Sequence, residues 1–194
     1  MEWSLLFFAN STFLGAGLAM DAFSVSLANG LNEPDMKKKK MSQIAGVFAF
    51  FQALMPMIGW LSVHTAVRYF EAFEKFIPWI ALALLLLIGG EMAAEGLKNE
   101  DTGAEKPKVG LRALLIQGVA TSIDALSVGF TIAGYDLKMA VSCSLIIAAM
   151  TFVICAAGLV IGKKFGTRLS GKATLLGGII LIVIGLEIFL TGVL

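Results

Sequence analysis

The chain has 194 residues, of which 58% are hydrophobic, and a formal net charge of +1; its mean hydropathy is +0.86. A soluble domain of this size would not carry so many apolar runs. The balanced charge says nothing about partners, so the placement of charge has to carry that information.

A helix needs about 20 residues to cross the hydrocarbon core of a bilayer. Six windows qualify, over residues 4–29, 41–65, 77–98, 110–134, 138–162 and 171–193. They leave only short connections and no room for a soluble domain. The expected fold class is all-α polytopic membrane protein with six transmembrane helices.

The first window lacks a basic start and a small-residue cleavage site, so it reads as a retained helix rather than a signal peptide. It holds Asp21 amid Gly15, Ala16, Gly17, Ala19, Ala22 and Ala28, small residues that let helices approach closely in lipid. Asn29-Gly30 and Pro34 are expected to end it. The second window contains Gln52 and Pro56. A proline there frees a backbone carbonyl one turn back, either as a packing kink or as an ion ligand. His64, at the outer end, reads as an interfacial residue.

The third window closes on Ile88-Gly89-Gly90-Glu91, with Glu95 one turn further. A polar stretch, Asn99 to Val109, then separates two halves. The fourth window carries Asp124 in Ile123-Asp124-Ala125-Leu126-Ser127-Val128-Gly129, an echo of Met20-Asp21-Ala22-Phe23-Ser24-Val25-Ser26. Cys143 and Cys155 share the fifth window without a CxxC or a Cys/His cluster, so neither disulfide nor zinc is indicated. The sixth window repeats the third: Ile184-Gly185-Leu186-Glu187 against Ile88-Gly89-Gly90-Glu91.

Order is kept throughout, with offsets of 103, 99 and 96 residues for the three helix pairs; Gln52 falls on Thr151 and Gly59 on Gly158. This reads as a three-helix repeat, residues 1–98 and 110–194, joined by a cytoplasmic linker at 99–109. An odd number of helices makes the second copy enter from the opposite side, as in the inverted repeats of secondary transporters. Lys and Arg number twelve in the odd connections and three in the even ones. The positive-inside rule then puts both termini outside. The run Lys37 to Lys40 fits this topology better than a nucleic-acid patch.

An acidic side chain near a bilayer centre costs about 2.5 to 3.5 kcal/mol on insertion scales. Four are expected there: Asp21, Glu91, Asp124 and Glu187. No Lys or Arg lies in the interior of any window, so each acid must be protonated, hydrogen-bonded, or facing a cation or water. Ser24 and Ser127 follow the aspartates by one turn, and Gln52 adds an amide. Oxygen-only ligation suits hard divalent ions such as magnesium, calcium and manganese, not zinc, copper or nickel. Carboxylates clustered in low dielectric repel one another when the site is empty. Protons would then occupy it and leave as metal enters, an arrangement for proton–cation antiport. By depth along each window, Asp21 and Glu91 fall toward the cytoplasm and Asp124 and Glu187 outward, implying two layers unless helices unwind near Gly15, Gly17, Gly89, Gly90 or Gly118.

The stretches D-A-F-S-V-S-L-A and A-T-S-I-D-A-L-S-V-G, with the six-helix length, resemble the MntP-type family of bacterial manganese efflux pumps. The resemblance covers essentially the whole chain. It implies a multi-pass protein of the bacterial inner membrane that exports Mn²⁺, with Asp21 and Asp124 functional. It implies a transporter rather than an enzyme, with the ion as substrate, the bilayer as surroundings, no cofactor and no nucleic-acid partner. Oligomeric state is left open. The alternatives are export of another divalent cation or small solute, or an intramembrane aspartyl protease. Neither aspartate has the Gly-x-Gly-Asp context of the last, and no intramembrane Arg awaits an amino-acid carboxylate.

Overall fold

The computed structural model describes residues 4–65, 77–98, 109–169 and 173–193. The connections holding Arg68, Lys75 and most of the 99–109 linker, both chain ends, and the side chains of His64 and Glu95 lie outside the described residues. Seven helices and no strand are found among those described: α1 Leu5–Asn32, α2 Lys38–Thr65, α3 Ile77–Lys98, α4 Leu111–Ala120, α5 Ile123–Thr131, α6 Leu137–Leu169 and α7 Ala173–Val193. Four stretches, Leu5–Asn32, Lys38–Val63, Leu111–Thr131 and Leu137–Gly166, are long and apolar enough to cross a membrane. The chain is an α-helical membrane protein.

The helix ends show where local chemistry overrode the simple reading. Ser4 caps α1, its Oγ accepting the Phe7 N–H. Asn29-Gly30 does not end the helix, which runs on to Asn32. In lipid every backbone group needs a partner, so a helix continues through residues that would stop it in water. Lys38 to Lys40 form the first turn of α2, and Lys163 and Lys164 lie within α6. Basic residues here extend helices out of the hydrocarbon rather than occupying loops.

The interior is the reverse of a soluble core. Leu5, Phe13, Phe50, Leu145, Val153 and Leu190 are exposed, whereas Ser26, Asn29, Gln52, Gln117, Ser122 and Thr151 are wholly buried. Lipid replaces water around such a bundle, so apolar groups face outward; Asn29 and Gln117 pair between helices, while Thr151 Oγ1 and Gln52 Oε1 are buried without a protein partner.

The most extensive packing joins helices of opposite halves: α1 on α6, α3 on α7, and α2 on both α6 and α5. Glycines set these crossings. A Cβ on Gly59 of α2 would overlap the Leu126 carbonyl of α5, and one on Gly162 of α6 would overlap the Leu27 carbonyl of α1. On α3 and α7 the close pair is Gly89 and Gly178. These contacts also fix direction. Gly15 meets Met150 while Gly30 meets Gly162, so α1 and α6 run parallel. Gly118 meets Phe51 while Gly129 meets Gly59, so α2 runs parallel to α4–α5. Gly89 lies against Gly178 and Trp79 stacks on Phe189, their ring centroids 4.6 Å apart, so α3 and α7 are antiparallel.

The turn between α1 and α2, Val109 ahead of α4, and Lys163 near the end of α6 gather at one end of the bundle. Glu33 pairs with Lys40 and accepts the Val109 N–H, while the Lys163 Nζ donates to the Met36 carbonyl. Trp60, near the far end of α2, donates its indole N–H to the Tyr135 carbonyl.

Gly17 has open space where Gly59 has none. Gly59→Ala should therefore cost about 1–3 kcal/mol through overpacking, whereas Gly17→Ala should be neutral or stabilising by its better helix propensity. Melting of the two purified proteins in one detergent checks this, and equal melting temperatures would rule out the glycine crossing as a determinant.

Candidate ion site

The fourth window does not form one helix. It divides at Thr121-Ser122: Thr121 stays in the right-handed helical region, and Ser122 leaves it at φ −114°, ψ 7°. The cause is local. Ser and Thr hydroxyls bond to nearby carbonyls and compete with the helix ladder. The Thr121 Oγ1 donates to the Gln117 carbonyl at 2.9 Å and the Ser122 Oγ to the Gly118 carbonyl at 2.8 Å. The two hydroxyls thereby satisfy the end of α4. The expectation of unwinding near glycines is corrected for α1, unbroken through Gly15 and Gly17, and for α3, unbroken through Gly89 and Gly90, whereas the break in the fourth window lies within one turn of Gly118. Glycine permits a break, but hydroxyls supply the partners that stabilise one.

The break places Asp124 in the first turn of α5, where its Oδ1 accepts the Ala125 N–H at 2.9 Å. A helix N-terminus favours an anion through its free N–H groups and dipole. Asp21, its counterpart in the motif, lies mid-helix in α1 and is half-buried.

Asp21 lies within electrostatic reach of both Asp124 and Glu187. Asp21 is thus the member that Asp124 and Glu187 have in common, giving two acid pairs rather than one enclosed cluster. Asp124, Glu187 and Glu91 are open at the protein surface. An open carboxylate in a bilayer needs water or a cation beside it. Among the described residues, however, no three His, Cys, Asp or Glu side chains converge closely enough to enclose a metal ion.

The other predicted residues divide. The Ser24 Oγ donates to the Met20 carbonyl of its own helix at 3.0 Å, leaving its lone pairs available. Ser127 is exposed one turn beyond Asp124. Gln52 is wholly buried; its Nε2 donates to the Leu18 carbonyl at 2.6 Å and to the Thr121 carbonyl at 3.4 Å, and its Oε1 has no protein partner. A cavity of about 470 Å³ opens elsewhere, between α2 and α4, lined by Lys40, Ile44, Phe50, Val109 and Leu114 among others and by no carboxylate.

Sequence reading missed one polar pair. Asn29 and Gln117 exchange amide hydrogen bonds of 2.8 and 3.3 Å between α1 and α4, fully buried. Gln117 falls six residues before the recognised motif and Asn29 was taken for a helix stop. Two amides in otherwise apolar windows were the available signal, since buried amides in lipid seek each other.

Residues 35–189 match the family model described as "Putative manganese efflux pump". A protein of Rippkaea orientalis named "Putative manganese efflux pump MntP" is 40% identical over 183 residues, covering 94% of this chain and 96% of its own. Proteins with the same name from Ruminiclostridium cellulolyticum and Clostridium perfringens are 38% and 39% identical, each over 91% of this chain and 92% and 91% of their own. No solved structure matches. With the duplicated aspartate motif in place and relatives aligned over nearly its whole length, the chain belongs to the MntP family of manganese efflux pumps.

Proposed function

We propose that this protein exports Mn²⁺ across the bacterial inner membrane as a secondary transporter, through an all-oxygen path centred on Asp21 and Asp124. The observation that supports the reading is that Asp21 lies within electrostatic reach of Asp124 and of Glu187 in a bundle whose relatives are named for manganese efflux. Oxygen donors suit Mn²⁺, and the buried cysteines stand outside both motifs. On this reading Glu91, Ser24 and Ser127 border the same route, while Gln52, wholly buried, holds backbone carbonyls through its amide nitrogen.

The proposed architecture is six spans in two inverted three-helix repeats, residues 1–98 and 110–194, with a cytoplasmic linker at 99–109 and both termini outside. Opposite directions of α3 and α7, counterparts in the two halves, support the inversion. So do paired contacts at the repeat offsets: Gly59 against the Leu126 carbonyl and Gly158 against that of Phe23, Gly118 against Phe51 and Gly15 against Met150. Basic residues clustered at one end support a cytoplasmic assignment for that end.

Carboxylates that repel one another when empty would take up protons, which an entering Mn²⁺ would displace. Each Mn²⁺ leaving the cell would then be exchanged for protons entering it.

In reconstituted vesicles, Asp21→Asn and Asp124→Asn should each reduce Mn²⁺ export to background while inserting normally, since the neutral amide is less costly to bury. Glu187→Gln should impair export less. Replacing both cysteines with Ala should leave it intact. Export surviving in either aspartate variant would remove that residue from the path.

Antiport makes a separate claim on the same vesicles. An imposed pH gradient should change the Mn²⁺ flux, and a flux indifferent to it would leave export standing without proton coupling.

For topology, a cysteine at Gly103 should resist an impermeant reagent added outside intact cells, while tags at either end of the chain react. Labelling of Gly103 from outside would overturn the orientation.

A further inference from the structure

Gln52 is wholly buried, and its amide nitrogen reaches two carbonyls on different helices. Those carbonyls are not arbitrary. Leu18 and Thr121 are separated by 103 residues, the offset that relates Asp21 to Asp124, and each stands three residues before its aspartate. One side chain thus ties together the equivalent points, one turn ahead, of the two acid-bearing segments. An amide has two N–H donors, and both find acceptors here.

The chemistry of the residue argues for that task. Burying an amide with its Oε1 unpartnered carries a desolvation cost that Met or Leu of similar volume would avoid. What the amide supplies is a pair of donors. One end of the tie is firm, because α1 runs unbroken through Leu18. The other end is the helix break. Carbonyls at a helix C-terminus lack an intrahelical donor, and Thr121 is the residue that closes α4. A two-residue break also leaves the direction of α5, and so of Asp124, weakly determined by the backbone alone.

We propose that Gln52 is a positioning residue for ion transport: by clamping the Thr121 carbonyl at the helix break to the Leu18 carbonyl of α1, it sets the spacing of Asp124 from Asp21. The proposal rests on the export function for its consequence, but the clamp itself is a property of the metal-free chain.

The test uses the full chain in lipid nanodiscs, with Cys143→Ala and Cys155→Ala and spin labels at Met20→Cys on α1 and Thr131→Cys at the end of α5. Met20 and Thr131 are exposed. With Gln52 present and no metal, the distance distribution between labels should be single and narrow. Gln52→Met, which packs but donates nothing, should broaden or shift it. Gln52→Asn, shorter by one methylene and reaching one carbonyl at most, should fall between, and it serves if the Met variant fails to insert. Unlabelled variants in vesicles should show the Mn²⁺ half-saturation concentration raised by about 10- to 100-fold, as for other residues that orient ligands. The maximal rate should change much less. A narrow distribution retained in both variants would overturn the clamp. Weakened Mn²⁺ affinity with an unchanged distribution would overturn it too, by making Gln52 a direct ligand. Absence of Mn²⁺ transport in the protein with Gln52 intact would overturn the export function instead, leaving the distance measurement to judge the clamp alone.

Discussion

A carboxylate within a bilayer must be given a partner, and this protein has no interior Lys or Arg to provide one. That constraint separates two kinds of polar group. Neutral amides and hydroxyls can be buried between helices, several of them bonded to each other or to backbone, as in the Asn29–Gln117 exchange and the hydroxyls of Thr121 and Ser122. Carboxylates are kept off that dry interior. Asp124, Glu187 and Glu91 are open, and Asp21 is half-buried at their edge. The neutral network holds the bundle together, and the acids are left accessible to whatever crosses the membrane.

Holding the acids near one another requires helices of different halves to pack tightly, and glycine makes that possible. Gly59 with Gly129, Gly30 with Gly162, and Gly89 with Gly178 bring backbones into contact across the halves. Packing of this kind in lipid depends on van der Waals fit and not on expulsion of water, so a single added methyl is felt directly. The halves are therefore interlocked. Neither residues 1–98 nor 110–194 form a body that packs mainly on itself.

Much of this was legible in the sequence because lipid imposes a simple code. Apolar length gave the helices, and repeated motifs paired Asp21 with Asp124 and Glu91 with Glu187. Helix ends were less legible. Asn29-Gly30 reads as a stop by rules learned in water, where a freed carbonyl can be hydrated; in the bundle it continues, and Gly30 serves a close crossing with Gly162. The break in the fourth window was placed at glycines because glycine lowers the cost of irregular backbone. It formed within one turn of Gly118, at Thr121-Ser122, since in a dry interior the decisive question is who accepts and donates the freed hydrogen bonds. The amide pair Asn29–Gln117 was illegible as a pair because 88 residues separate its members.

The same break explains how a duplicated sequence acquires two unlike halves. At the repeat offset, Thr121 and Ser122 correspond to Leu18 and Ala19. Leucine and alanine have no hydroxyl to satisfy a freed carbonyl, so α1 has no local route to a break and stays whole. The acids inherit the difference: Asp21 rides on a long continuous helix, while Asp124 opens a nine-residue helix and takes the N–H of Ala125. A cation between them would meet one carboxylate held by a rod and one carried on a short, re-aimable segment. Because Gly59 and Gly129 hold α5 tightly on α2, any change in the separation of the two acids would carry α2 with α5 while the glycine-packed pair α1 and α6 stays in place. A transporter needs its site to bind and then release. An asymmetry of this kind confines the necessary change to α5 with α2 and leaves the pair α1 and α6 sealed.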